Sequence, residues 1–206
     1  MTQLKSNLYS FRTIQADVFV RNNVGTPEQR QAMIDYAQSV KANTNFNMAF
    51  NNEGCWRGEF TYPDFSFVEK EFKDIVNSAV SAYMAVDPMY SKKVAQYGKA
   101  ELNYWTNINA VGSKNSLHDH RLHHFVAVYY LQGKDTGDIV FHNPMNITES
   151  CHPHAPFIGR YSYSPEDGDL VVFPAWLPHE TEINKSDRER INVAINVRFE
   201  TPRYIP

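Results

Sequence analysis

The sequence predicts a mainly β fold with helices in its N-terminal half, an antiparallel sandwich or jelly roll with those helices packed outside it. Two observations carry this. Apolar residues recur at helical spacing as far as Val86, and from about residue 99 the period changes to two. Several short β-rich runs then follow, punctuated by Gly133, Gly137, Pro144, Gly168 and Pro174. The chain has 206 residues, 42% of them hydrophobic and 14% aromatic, enough for one sizeable core. Without an internal repeat or a low-complexity linker, residues 1–206 read as a single domain. Its support region spans about 1–98 and its jelly-roll core about 99–206.

Each element has a local reason. Residues 11–20 (FRTIQADVFV) form an early strand. Thr26-Pro27-Glu28-Gln29 starts a helix, with Thr26 as cap, Pro27 in the first turn and Gln29 reaching back as in a capping box. Met33, Ala37 and Val40 continue it. After Pro63-Asp64, the stripe Val68, Phe72, Ile75, Ala79 and Val86 marks a second helix, ended by Asp87-Pro88. The polar stretch 43–62 between them has no assigned element. Leu102, Tyr104, Thr106 and Ile108 then alternate with Asn103, Trp105, Asn107 and Asn109. Further strands are expected at 124–131, 137–142, 169–173 and 190–199. In the last, Arg190, Asn192, Ala194, Asn196 and Arg198 share one face, and Ile191, Val193, Ile195, Val197 and Phe199 the other. Alternation does not say whether the polar face meets water or lines a cavity.

Composition narrows the function classes. A formal net charge of −3 gives no basic footprint for nucleic acid. No apolar run is long enough to span a membrane, and Met1–Ser10 does not read as a signal peptide, so a cytoplasmic location is expected. Cys55 and Cys151 are read as thiols of a reducing compartment, and the sequon at Asn146 as coincidental. A homodimer is left open.

The chemistry concentrates in the histidines. His118 and His120, at i and i+2, point the same way from an extended strand and can reach one metal. His179 follows 59 residues after His120, behind the rigid turn Phe173–Pro178, and Arg190 follows 11 residues later. Three imidazoles suit Fe(II), Zn or Cu, so ligand type does not choose among them. A His-x-His pair is also common as surface decoration, and Arg190 could pair with Glu189 or Asp187 instead. His123 and His124 fit a strand entrance. Cys151-His152-x-His154 lies in a proline-rich loop without a fourth ligand at zinc spacing.

These residues resemble the Fe(II)/2-oxoglutarate-dependent oxygenase superfamily, and within it the small prolyl-hydroxylase-like family with a His-x-His motif. The resemblance runs through Trp105-x-Asn107, His118-x-His120, Val128-Tyr129-Tyr130-Leu131 and Gly137. It continues through Phe141-x-x-Pro144, Gly168–Pro174, Trp176-Leu177-x-His179 and Arg190-Ile191-Asn192, with a weaker N-terminal match at Asn52-x-Gly54-x-Trp56. It implies a double-stranded β-helix, a cupin-like jelly roll, with helices on the major sheet. It implies His118, His120 and His179 as iron ligands, and Arg190, Tyr130 and Asn192 around the far carboxylate of the co-substrate 2-oxoglutarate. The implied reaction consumes O2, hydroxylates an unactivated C–H bond of a small molecule or peptidyl side chain, and releases succinate and CO2. No protein general base is assigned. Trp105, Asn107, Asn109 and Phe141 are candidate substrate contacts, with Trp56 also available; Trp176 is expected to fill the core. The chain departs from the superfamily pattern in three places. His120 stands where a carboxylate is usual, Asn192 where many relatives carry serine, and Val126-Ala127 replace a Ser-Gly pair. Two rival readings are a three-histidine cupin-type dioxygenase that does not use 2-oxoglutarate, and a binding module with a degenerate site.

Overall fold

The computed structural model describes residues 2–5, 8–12, 16–44, 47, 52–86, 100–144 and 159–200. In chain order these form β1 (Thr2–Lys5), β2 (Leu8–Arg12), β3 (Asp17–Arg21), α1 (Pro27–Ala42), β4 (Asn52–Glu59), α2 (Ser66–Val86) and β5 (Ala100–Asn115). There follow β6 (Phe125–Gln132), β7 (Ile139–His142), β8 (Arg160–Tyr163), β9 (Leu170–Pro174), β10 (His179–Thr181) and β11 (Arg190–Phe199). Eight strands build a major antiparallel sheet in the order β1-β2-β3-β9-β6-β11-β5-β4. Three build a minor sheet in the order β10-β7-β8. The architecture is the jelly roll that the change of period predicts.

Both faces of the major sheet are covered, which explains why its central strands read as nearly continuous apolar runs. On β6, Phe125, Ala127, Tyr129 and Leu131 pack in one cluster with Met33 of α1 and Phe72 and Ile75 of α2. The alternate residues Val126, Val128 and Tyr130 pack instead between the two sheets with Ile139, Phe141 and Phe173. β11 divides in the same way: Ile191, Val193, Ile195 and Val197 join the helix-side cluster, while Asn192, Ala194 and Asn196 face a cavity between the sheets. The polar face of the last strand is therefore the inside face.

Helix α1 begins as its sequence predicts. The Gln29 backbone N–H donates to the Thr26 hydroxyl at 3.2 Å, and the Gln29 side-chain oxygen accepts from the Thr26 N–H at 2.9 Å. The expected end of α2 at Asp87-Pro88 lies outside the described residues, as do Asn146, Cys151, His152 and His154. The run at 11–20 contributes the end of β2 and most of β3. The stretch 43–62, left without an element, contains β4, which pairs with β5 in the register Cys55↔Asn109 and Arg57↔Asn107. Its residues Asn52–Glu59 hide this strand from a period argument because Gly54 and Gly58 interrupt the side-chain pattern. Among the described residues, no helix is long and apolar enough to cross a membrane.

Candidate metal centre

The three histidines are brought together by backbone pairing. His118 and His179 form an isolated antiparallel bridge: the His118 N–H donates to the His179 carbonyl at 3.0 Å, and the reverse bond is 2.9 Å. His120 is tied to the neighbouring turn through its N–H and the Ala175 carbonyl at 2.9 Å. That turn is itself fixed. The Ala175 N–H donates to the His124 carbonyl at 3.1 Å, and the Pro178 carbonyl accepts from the His142 N–H at 2.9 Å. One ligand atom from each imidazole then lies within 4.8 Å of the others.

The hydrogen bonds select which atoms those are. Nδ1 of His118 meets the Ser116 carbonyl at 2.7 Å, and Nδ1 of His179 meets the Leu177 carbonyl at 2.9 Å. Nδ1 of His120 meets the Asn196 side-chain oxygen at 2.6 Å. An oxygen acceptor requires N–H at each Nδ1, so each Nε2 keeps its lone pair. Burial holds all three imidazoles neutral. Burial and then the neighbouring His118 push His120 down to about 4. Burial first, with the Arg57 charge, outweighs the Ser116 carbonyl and Asp119 at His118 and lowers it. His179 is driven well below the usual range by burial first and by the other two rings next. Three oriented nitrogen donors are suited to a divalent transition metal.

Around the triad lies a cavity of about 490 Å³. Trp105 is part of its wall and stacks on His120, with ring centres 5.8 Å apart and planes at 18°. Asn107 donates to the Asn192 side-chain oxygen at 3.0 Å, and both residues line the cavity. Two expected substrate contacts are placed elsewhere. Asn109 is fully buried and donates to Asn115 at 2.6 Å, behind the wall. Phe141 is likewise behind it, edge-on to Phe173 at 4.9 Å, because it faces the intersheet core. Trp56 packs in the helix-side cluster, since it alternates with Arg57 along β4. Trp176, expected in the core, is 47% exposed at the tip of its turn.

Arg190 is buried at the head of β11 and makes no salt bridge among the described residues. Its Nη1 donates to the carbonyls of Thr136 at 2.9 Å and Glu182 at 3.3 Å, and its Nη2 to the Thr181 hydroxyl at 2.7 Å. Its Nε is buried without a partner among the described residues. Thr181 and Tyr130 both line the cavity, while Arg190 stands just behind Thr181. Burial raises the Tyr130 phenol well above its usual range, against the pull of the Arg190 charge, so Tyr130 remains a donor.

A family profile described as "Putative 2OG-Fe(II) oxygenase" matches residues 103–196, which include all three histidines and Arg190. This segment, a little under half of the chain, is similar to that family. Solved structures with the same fold span most of the chain. A Pseudomonas putida prolyl-4-hydroxylase is 14% identical over 89% of this chain and 92% of its own, with a TM-score of 0.57. A Trichoplax adhaerens prolyl hydroxylase, in complex with a hypoxia inducible factor oxygen degradation domain peptide, is 12% identical over 90% and 85%, with a TM-score of 0.59. HygX from Streptomyces hygroscopicus, with nickel and 2-oxoglutarate bound, is 13% identical over 91% and 83%, with a TM-score of 0.51. At these identities the likeness is one of fold. No curated protein matches the sequence.

Three cavity residues within the matched segment, and one before it, escaped the sequence reading. Thr181 and Asn196 carry Arg190 and His120 through side-chain hydrogen bonds, which no motif announces. Asn115 accepts from Asn109, and its N–H donates to Thr181 at 2.8 Å. Arg57 lies before the segment, on the strand that was missed. The alternation of Asn192 and Asn196 on β11 was the one available signal.

Proposed function

We propose that the protein is an Fe(II)- and 2-oxoglutarate-dependent dioxygenase that hydroxylates a C–H bond of a small molecule or a peptidyl side chain. The observation that carries this is the set of three Nδ1-anchored, neutral histidines beside a buried arginine with an unmet Nε. His118, His120 and His179 would hold the metal through Nε2. Nε and Nη2 lie on the same edge of a guanidinium, and on Arg190 that edge has donors to spare. It fits one end of a dicarboxylate through charge-assisted hydrogen bonds. Tyr130 adds a phenolic donor from β6, and the Asn192 amide adds one from β11. When bound, a ferrous ion and 2-oxoglutarate supply the oxidising chemistry, with succinate and carbon dioxide as co-products.

The chain's own contribution is position and shielding. His118 and His120 on one segment and His179 on the adjacent one would hold a metal at the cavity wall. Val126, Val128, Ile139 and Ala194 give the cavity apolar walls that limit water around a reactive centre. Trp105 fixes the plane of His120 by stacking. Arg190 remains charged, since a guanidinium does not deprotonate in a protein, and its three present acceptors keep it in place.

The test is succinate formation from 2-oxoglutarate with Fe(II) under oxygen, in wild type and His179→Ala. Metal-dependent turnover that His179→Ala abolishes is expected. Succinate formation that persists without metal would refute the reading. Substrate oxidation without 2-oxoglutarate would point to a direct three-histidine dioxygenase instead.

A further inference from the structure

The cavity wall carries an arginine that the oxygenase reading does not use. Arg57, on the edge strand β4, lines the cavity opposite the minor sheet. Its guanidinium carbon lies 4.2 Å above the centre of the Trp105 ring. The other neighbour of Trp105 is His120, so guanidinium, indole and imidazole succeed one another along this wall. The Arg57 Nε is buried and has no hydrogen-bond partner among the described residues. No carboxylate among the described residues reaches Arg57 as an ion pair. The one acidic residue on the cavity wall, Asp119, is occupied by Arg121, whose Nε lies 3.1 Å from each of its oxygens. Among the described residues, Arg57 is therefore a cavity cation with no carboxylate partner.

Such a charge is costly to leave alone. Stacking on an indole offsets part of the desolvation of a guanidinium, but it does not satisfy the N–H groups. A ligand carboxylate would satisfy them. Arg190 is held by Thr136, Thr181 and Glu182 on the minor-sheet side, whereas Arg57 stands on the major-sheet edge over Trp105. The two cations therefore serve different walls. A cavity of about 490 Å³ is of ordinary size for a small-molecule site.

We propose that Arg57 is the specificity-determining residue for the oxidised substrate, and that this substrate is a small molecule bearing a carboxylate, which Arg57 anchors above Trp105 beside the metal centre. A single unpaired cation matches a carboxylate monoanion better than a phosphate dianion. The inference rests on the dioxygenase reading of the triad, and it narrows the substrate to a free acid.

The experiment uses the protein with Mn(II) and 2-oxoglutarate, without oxygen. A panel of free L-amino acids and small hydroxy and keto acids is titrated, each paired with its primary amide, and tryptophan fluorescence and ligand-observed NMR report binding. At least one acid is expected to bind at least about ten-fold more tightly than its amide, the scale of one hydrogen bond to a charged group. Arg57→Gln should remove that difference, and Arg57→Lys should retain part of it. A panel in which no acid outbinds its amide overturns the proposal, as does a preference for acids that survives in Arg57→Gln. Titration of 2-oxoglutarate alone into the Mn(II) protein is a separate arm. If wild type fails to bind it, the dioxygenase reading falls. If Arg57→Gln loses 2-oxoglutarate while the acid preference stays, Arg57 serves the co-substrate and the proposal falls alone.

Discussion

Asn196 does for His120 what backbone carbonyls do for His118 and His179. A carbonyl cannot be mutated away, but an amide can, so the anchoring of one ligand can be tested alone. The Asn196 side-chain oxygen accepts from Nδ1 of His120 at 2.6 Å and thereby fixes both tautomer and ring rotation. Asn196→Ala frees the ring to turn and to carry its proton on Nε2. Metal affinity is expected to fall about 10- to 100-fold, the usual cost of losing such a partner. Competition with a fluorescent chelator for Co(II) measures it. A wild-type affinity in Asn196→Ala would mean that the Trp105 stack alone orients His120.

The same residue shows what a sequence can and cannot disclose about elements. His118, His120 and His179 were legible because a metal site needs a particular residue type at a reachable spacing. The two-period pattern of β11 was legible because burial on both faces is written into Ile191, Val193, Ile195 and Val197. Which face was inside was not, since alternation is symmetric and the answer depends on the minor sheet, assembled from β7, β8 and β10. β10 has three residues and no period to detect. β4 was missed because Gly54 and Gly58 interrupt it, and Arg57 was missed with it. Gly137 is a position where an element is held by one glycine. Its φ of +96° is strained for any side chain. A Cβ there would stand 3.2 Å from the carbonyls of Glu182 and Ile183 and 3.4 Å from Arg190 Nη1. Gly137→Ala is therefore expected to destabilise the fold by about 1–3 kcal/mol and, by shifting an acceptor of Arg190, to weaken 2-oxoglutarate binding. Urea unfolding and co-substrate titration check the two effects. Unchanged stability would show that the β6–β7 connection relaxes freely.

At the scale of the whole molecule, three connections meet at the Arg190 end of the sandwich, and one carboxylate joins them. Asp167, between β8 and β9, accepts from the N–H groups of Gly133 at 2.8 Å and Lys134 at 2.9 Å, both between β6 and β7. It also accepts from Arg188, between β10 and β11, at 3.0 Å. Partial burial acts to raise its pKa, but the two backbone N–H groups and then Arg188 outweigh burial and hold it below the usual carboxylate value. A folded-state pKa below the unfolded one means that the unfolded chain takes up the proton first. The stabilisation is thus fully present above the unfolded value of about 3.9 and is lost as pH falls through the lower folded value. Asp167→Asn removes the charge at every pH. Its melting temperature should lie below that of wild type at pH 7, and the gap should narrow as pH falls below about 4. Thermal melts of both proteins from pH 7 to pH 3 measure this. A gap that stayed constant down to pH 3 would assign the role of Asp167 to its hydrogen-bond geometry, independent of its charge.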